Sequence, residues 1–93
     1  MKFLIGPHSG SFSTPPADAM DLLWERLGGI HDQVSFAKVG PEISATWGGD
    51  ASPVRMRDER AEIGRRAVLV ILRDVCERSP ELELDWFAIG FFH

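Results

Sequence analysis

His8 in GPHSGS, His31 beside Asp32, the single Cys76 and an arginine-rich run from 55 to 78 are the residues of this chain whose side chains could do chemistry. His8 lies next to Ser9 in a Gly/Ser/Pro-rich stretch. There an imidazole could serve as an acid–base group, and backbone N–H groups ahead of a helix could cradle an anion. The stretch lacks the spacing of a phosphate-binding loop and its lysine, so ordinary turn chemistry accounts for it. A histidine beside an aspartate could be an oriented base, but chain neighbours on a turn rarely point at each other; a solvated turn is expected at His31-Asp32. Glu42 and Asp50 have no spacing that ties them to His31. The three histidines, His8, His31 and His93, are too widely separated for a metal signature, and no metal or cofactor is expected. Cys76 falls near the end of an expected helix, where the dipole disfavours a thiolate, and reads as a packed apolar residue.

The arginines are the one local charge anomaly. Residues 55 to 78 hold seven Arg against five acids. Arg55, Arg57 and Arg60 would stand at a helix start, placed to meet an anion or an acidic partner. The acids interleaved with them make a solvated, ion-paired face the stronger expectation. The formal charge of −4 argues against general nucleic-acid binding, which calls for a basic field.

Ninety-three residues make one expected domain over 1–93, small enough that a partner chain would help its stability. The 44% hydrophobic content, with three Trp and six Phe, calls for a folded core. One cysteine rules out an internal disulfide and fits a reducing compartment. The opening MKFLIG is too short for a secretory or membrane-spanning segment, which needs about 20 apolar residues to span, so a cytoplasmic protein is expected.

Elements that would position these residues follow from local pattern. MKFLIG, stopped by Gly6-Pro7, reads as a strand. Thr14 with Pro15 reads as a helix start, Met20, Leu23, Trp24 and Leu27 make an apolar stripe, and Gly28-Gly29 ends the helix. QVSFAKV and EISATW, joined by Gly40-Pro41, read as a hairpin. Residues 55 to 78 read as a long helix, with Glu62–Arg66, Arg73–Glu77 and Asp74–Arg78 at i, i+4. Its inner face would be Ala61, Gly64, Val68, Ile71, Leu72 and Val75. Ile63, Ala67 and Val70 fall on the other side. ELELDWFAIGFFH would be the closing strand.

The resulting βαββαβ string resembles the ferredoxin-like superfold, an α+β two-layer sandwich with an antiparallel sheet and two helices on one face. If MKFLIG were not a strand, αββαβ with three strands would remain. RNA-binding relatives of this plan are not indicated: no GxxG loop joins two helices, and no aromatic pair stands on the third run.

A strand running straight through 82–91 would point Leu82, Leu84, Trp86 and Ala88 one way and Phe87, Ile89 and Phe91 the other. The helices would cover one face only, so Phe87, Ile89 and Phe91 would need a second copy, or the loop carrying Phe12, to cover them. Ile63, Ala67 and Val70 would add to that interface. The expectation is a non-enzymatic protein–protein interaction module (adaptor, regulator or inhibitor/immunity type), homodimeric, with itself and an unidentified protein as partners and no membrane. The alternative is a small dimeric enzyme or small-molecule binder whose cleft is lined by His8, His31 and Trp47. Nucleic-acid binding through residues 55–78 comes third.

Overall fold

The computed structural model describes residues 1–8, 14–28, 30–49 and 57–91. Strand β1 (Lys2–Pro7) is followed by helix α1 (Ala19–Leu27), a two-residue strand β2 (Ile30–His31), the hairpin strands β3 (Val34–Val39) and β4 (Glu42–Trp47), helix α2 (Arg57–Arg78), a single 3-10 turn (Leu84–Trp86) and strand β5 (Phe87–Phe91). The strands form one sheet in the order β2-β3-β4-β1-β5, with every neighbouring pair antiparallel. The four longer strands are those expected from sequence, and β2 is an addition. Because Lys2–Pro7 is a strand with a partner on each side, the three-stranded alternative is excluded.

Turn chemistry sets the hairpin. Gly40 has φ +59° and Pro41 follows it, while Val39 pairs with Glu42. A two-residue loop with positive φ only at its first position is the II′ geometry, which suits the twist of the flanking strands. The smaller β2–β3 connection is less well served. Its loop is Asp32-Gln33, and Gln33 holds φ +62°, a conformation that is unfavourable for a residue with a Cβ. Gln33→Gly is expected to raise stability by about 0.5–1 kcal/mol, glycine's larger unfolded-state entropy offsetting part of the relief. A urea midpoint that fell instead would mean the glutamine side chain holds the turn.

Helix α1 begins later than the Thr14-Pro15 start expected from sequence. Pro16 follows Pro15, and a residue before proline is pushed out of the helical region, so the helix cannot open there. Residues 14–16 run into a turn in which the Ala19 N–H donates to the Pro16 carbonyl at 3.1 Å. The far end holds as expected: Gly28, at φ +73°, caps the helix in the left-handed conformation.

The core lies on one face of the sheet. Phe3, Ile5, Val34, Phe36, Ile43, Ala45 and Trp47 are buried there, and Ala19, Met20, Leu23 and Leu27 of α1 and Val68, Leu72 and Val75 of α2 belong to the same cluster. Lys38, in register with Ile43 on that face, reaches Asp21 of α1 at 3.2 Å. At Gly64 the backbone of α2 comes so close that an added Cβ would lie 2.8 Å from Trp47 Cε3 and 3.0 Å from Phe3 Cε2. The opposite face carries smaller or polar side chains, among them Leu4, Ser35, Ala37, Ser44, Thr46 and Ala88.

The closing segment differs most from expectation. Residues 84–86 form a 3-10 turn, so the strand's two-residue alternation starts afresh at Phe87. Phe87, Ile89 and Phe91 pair with Pro7, Ile5 and Phe3, and directly opposed residues point to the same side of a sheet. They therefore face the helix layer and not the open face. Phe87 is only 8% exposed, Ile89 is half-buried, and Phe91 lies with its ring centre 6.0 Å from that of Phe3. The expectation that this trio looks into solvent from an uncovered face is overturned. Phe12, the expected alternative cover, lies outside the described residues.

Candidate functional site

The backbone of β5 is the least satisfied part of the sheet. The His8 N–H donates to the Trp86 carbonyl at 2.8 Å, in register with the β1–β5 pairs Gly6↔Ala88 and Leu4↔Gly90. In an antiparallel ladder hydrogen-bonded positions alternate, so Ala88 and Gly90 turn their N–H and C=O groups toward β1. Phe87, Ile89 and Phe91 turn theirs outward. The other side of β1 agrees: the Trp47 N–H donates to the Met1 carbonyl at 2.9 Å, which gives β1's odd positions to β4. As the last strand in the order, β5 presents these outward groups at an edge; the Phe87 N–H donates back to the Leu84 carbonyl, and the Ile89 and Phe91 groups have no backbone partner among the described residues.

Native sheets guard such edges with charges, prolines, bulges or brevity. The other edge, β2, is two residues long. β5 reads FAIGF, without charge or proline, and its five residues stay in unbroken register with β1.

Exposed apolar side chains occur on this strand and, separately, on α2. Phe91 is 54% exposed, and on α2 Val70 is 58% and Ile63 41% exposed, with Ala67 half-buried. The helix wheel explains α2: its buried positions Ala61, Gly64, Val68, Leu72 and Val75 form one face, and Ile63 and Val70 fall on its back. Glu62–Arg66 and Asp74–Arg78, each at 3.4 Å, line the same helix with exposed ion pairs. Val39, at the hairpin tip, is the remaining large exposed apolar side chain among the described residues.

The residues singled out for chemistry do not assemble. Met1, Trp47, Val34 and His31 lie in one cross-strand row at one end of the sheet, while His8 extends β1 past the other end. Seven residues of strand separate the two ends, about 20 Å. Trp47 is buried under α2. The cleft expected from His8, His31 and Trp47 is therefore not formed.

His31 is also no solvated turn residue. It is half-buried, its Nε2 hydrogen-bonds the Leu27 carbonyl at the end of α1, and its ring meets Phe36 edge-on with centres 5.6 Å apart. Those contacts give it a structural duty, fastening α1 to the sheet. Sequence reasoning missed this because Leu27 and His31 lie on either side of a chain reversal.

Arg55 and Asp50 lie outside the described residues, as do Ser9 and His93. Arg57 opens α2 and Arg60 is exposed. Glu42 places its carboxylate over Gly6, at the end of the sheet opposite His31. Burial pushes the Cys76 thiol up, in keeping with a packed cysteine. Glu81, exposed, is held below the usual carboxylate range by its own backbone N–H and then by Arg26, whose Nη2 donates to it at 2.6 Å. Desolvation opposes that shift. This pair ties α1 to the turn after α2. Among the described residues no cluster of three or more His, Cys, Asp or Glu could hold a metal ion, and no helix is long and apolar enough to cross a membrane. No family model matches the chain, and neither a curated protein nor a solved structure matches it.

Proposed function

We propose that this chain is a small non-enzymatic protein–protein interaction module, homodimeric, of the adaptor, regulator or inhibitor type, working in the cytoplasm. The observation that carries the reading is the exposure of Phe91, Val70 and Ile63 in a domain whose remaining large apolar side chains are mostly packed. Fully burying one such side chain is worth about 1.5–3 kcal/mol, a sizeable share of the 5–15 kcal/mol that typically holds a small domain together. Exposed apolar side chains gathered in quantity mark contact surfaces more often than catalytic ones. A ferredoxin-like sandwich is the plan we assign to it. The order β3-β4-β1-β5 with antiparallel neighbours, and two helices packed on one core cluster, support that assignment. The single cysteine supports the reducing compartment.

Light scattering on a size-exclusion column tests the reading. The protein is expected to elute at about twice its 10.4 kDa chain mass. Phe91→Lys, on β5, is expected to weaken association while the far-UV circular dichroism stays unchanged. A monomer at every concentration up to about 1 mM, an affinity limit of about −4 kcal/mol, would remove self-association from the proposal.

A further inference from the structure

We infer that self-association runs through β5: two copies pair this strand with its own symmetry mate, antiparallel about a two-fold axis at Ile89, joining the two sheets into one. The inference rests on the homodimer reading above and names its contact. Three observations converge on a second copy as the occupant.

The first is which groups are open. Ile89 and Phe91 direct both N–H and C=O groups outward, and Phe87 its C=O, since its N–H is held by the Leu84 carbonyl. A dyad at Ile89 sets Phe87 opposite the second copy's Phe91 and Ile89 opposite Ile89. These are the positions that exchange hydrogen bonds in an antiparallel ladder, and with the Phe87 N–H already given to Leu84 about four bonds form in all. A dyad at Ala88 or Gly90 would set only two of the three outward-facing residues of β5 opposite one another within the strand.

The second is size. FAIGF reads large-small-large-small-large in both directions. About that axis, aromatic meets aromatic and isoleucine meets isoleucine on the helix side, while Ala88 meets Gly90 on the open side. A two-fold contact requires each patch to complement itself, and this strand does so residue by residue. Phe91, 54% exposed here, would lie against the second copy's Phe87.

The third is the absence of a guard. No charge, proline or bulge stands on β5 to oppose pairing, whereas the sheet's other edge is the two-residue β2 followed by the stretch of β3 that carries Lys38.

Amide hydrogen exchange across a dilution series, with light scattering in parallel, tests this contact. Ala88 and Gly90 amides, bonded to β1, are expected to stay protected at all concentrations. Ile89 and Phe91 amides are expected to be protected when the protein is dimeric and to lose that protection on dilution. Phe91→Pro removes an outward donor and leaves the β1–β5 ladder intact; it is expected to weaken dimerisation about tenfold or more, against a smaller loss for Phe91→Leu. A dimer whose Ile89 and Phe91 amides exchange freely overturns strand pairing and leaves the homodimer standing. A monomer at all concentrations overturns both. Protection that arises only on adding a different protein overturns the second copy as occupant.

Discussion

Phe3→Ala is expected to lower stability by about 3–5 kcal/mol, the range for removing a buried phenylalanine. Phe3 is 1% exposed and pairs on one side with Ala45 of β4 and on the other with Phe91 of β5. Its ring also lies beneath the backbone of α2 at Gly64. Sheet neighbours on both sides and the longer helix thus meet on one side chain, and the space it leaves cannot close without moving all three. A domain of this size has about 5–15 kcal/mol in total, so the variant should be partly unfolded at 37 °C. Urea unfolding followed by tryptophan fluorescence measures it. A loss under about 1 kcal/mol would contradict the packing described here.

Gly64→Leu comes next, at about 2 kcal/mol of net destabilisation. Replacing a helical glycine normally gains about 1 kcal/mol of propensity, and here the gain is overwhelmed. The first carbon of any side chain would already overlap Trp47 Cε3 and two carbons of Phe3; both rings are core residues with little room to retreat. Inserting the rest of a leucine into such a contact costs about 1–3 kcal/mol, occasionally more. Gly64→Ala is the graded control: its single methyl sets overlap against propensity, and the two should nearly offset. The contact gives a sharper test through coupling. In a Phe3→Leu background, the cost of Gly64→Ala should fall by about 0.5 kcal/mol or more, since residues in contact are not additive. Strict additivity would mean that α2 does not rest on Phe3.

These two residues also mark how far the chain could be read in advance. Gly64 was assigned to the buried face of the long helix from 100° steps alone, and the same arithmetic put Ile63 and Val70 on its back. Helical periodicity is a local property, so neighbours three and four residues apart carry it without knowledge of the fold. The Gly40-Pro41 hairpin was legible for the same reason, since its turn needs only the backbone preferences of two residues. What Gly64 packs against was not legible, because Phe3 and Trp47 reach it from distant parts of the sequence.

The start of α1 was misjudged for a local reason as well, the restriction that Pro16 places on Pro15. The closing strand failed differently. Its alternation was carried through Leu84–Trp86, but a 3-10 turn there breaks the two-residue period, and a one-residue change of phase sends every side chain to the opposite face. An unbroken alternation would leave the side chains of Phe87, Ile89 and Phe91 bare. These residues remain of interest because of their outward backbone groups.

The amino-acid order alone determined an acidic α+β chain, its four main strands, two helices and the surplus apolar residues on the back of α2, since period and turn preference act over a few residues. Only the tertiary structure decided the phase of β5, the separation of His8 from His31 and the open hydrogen-bonding edge. Each of those depends on register between strands far apart in sequence, and register is chosen by the joint packing of the whole sheet.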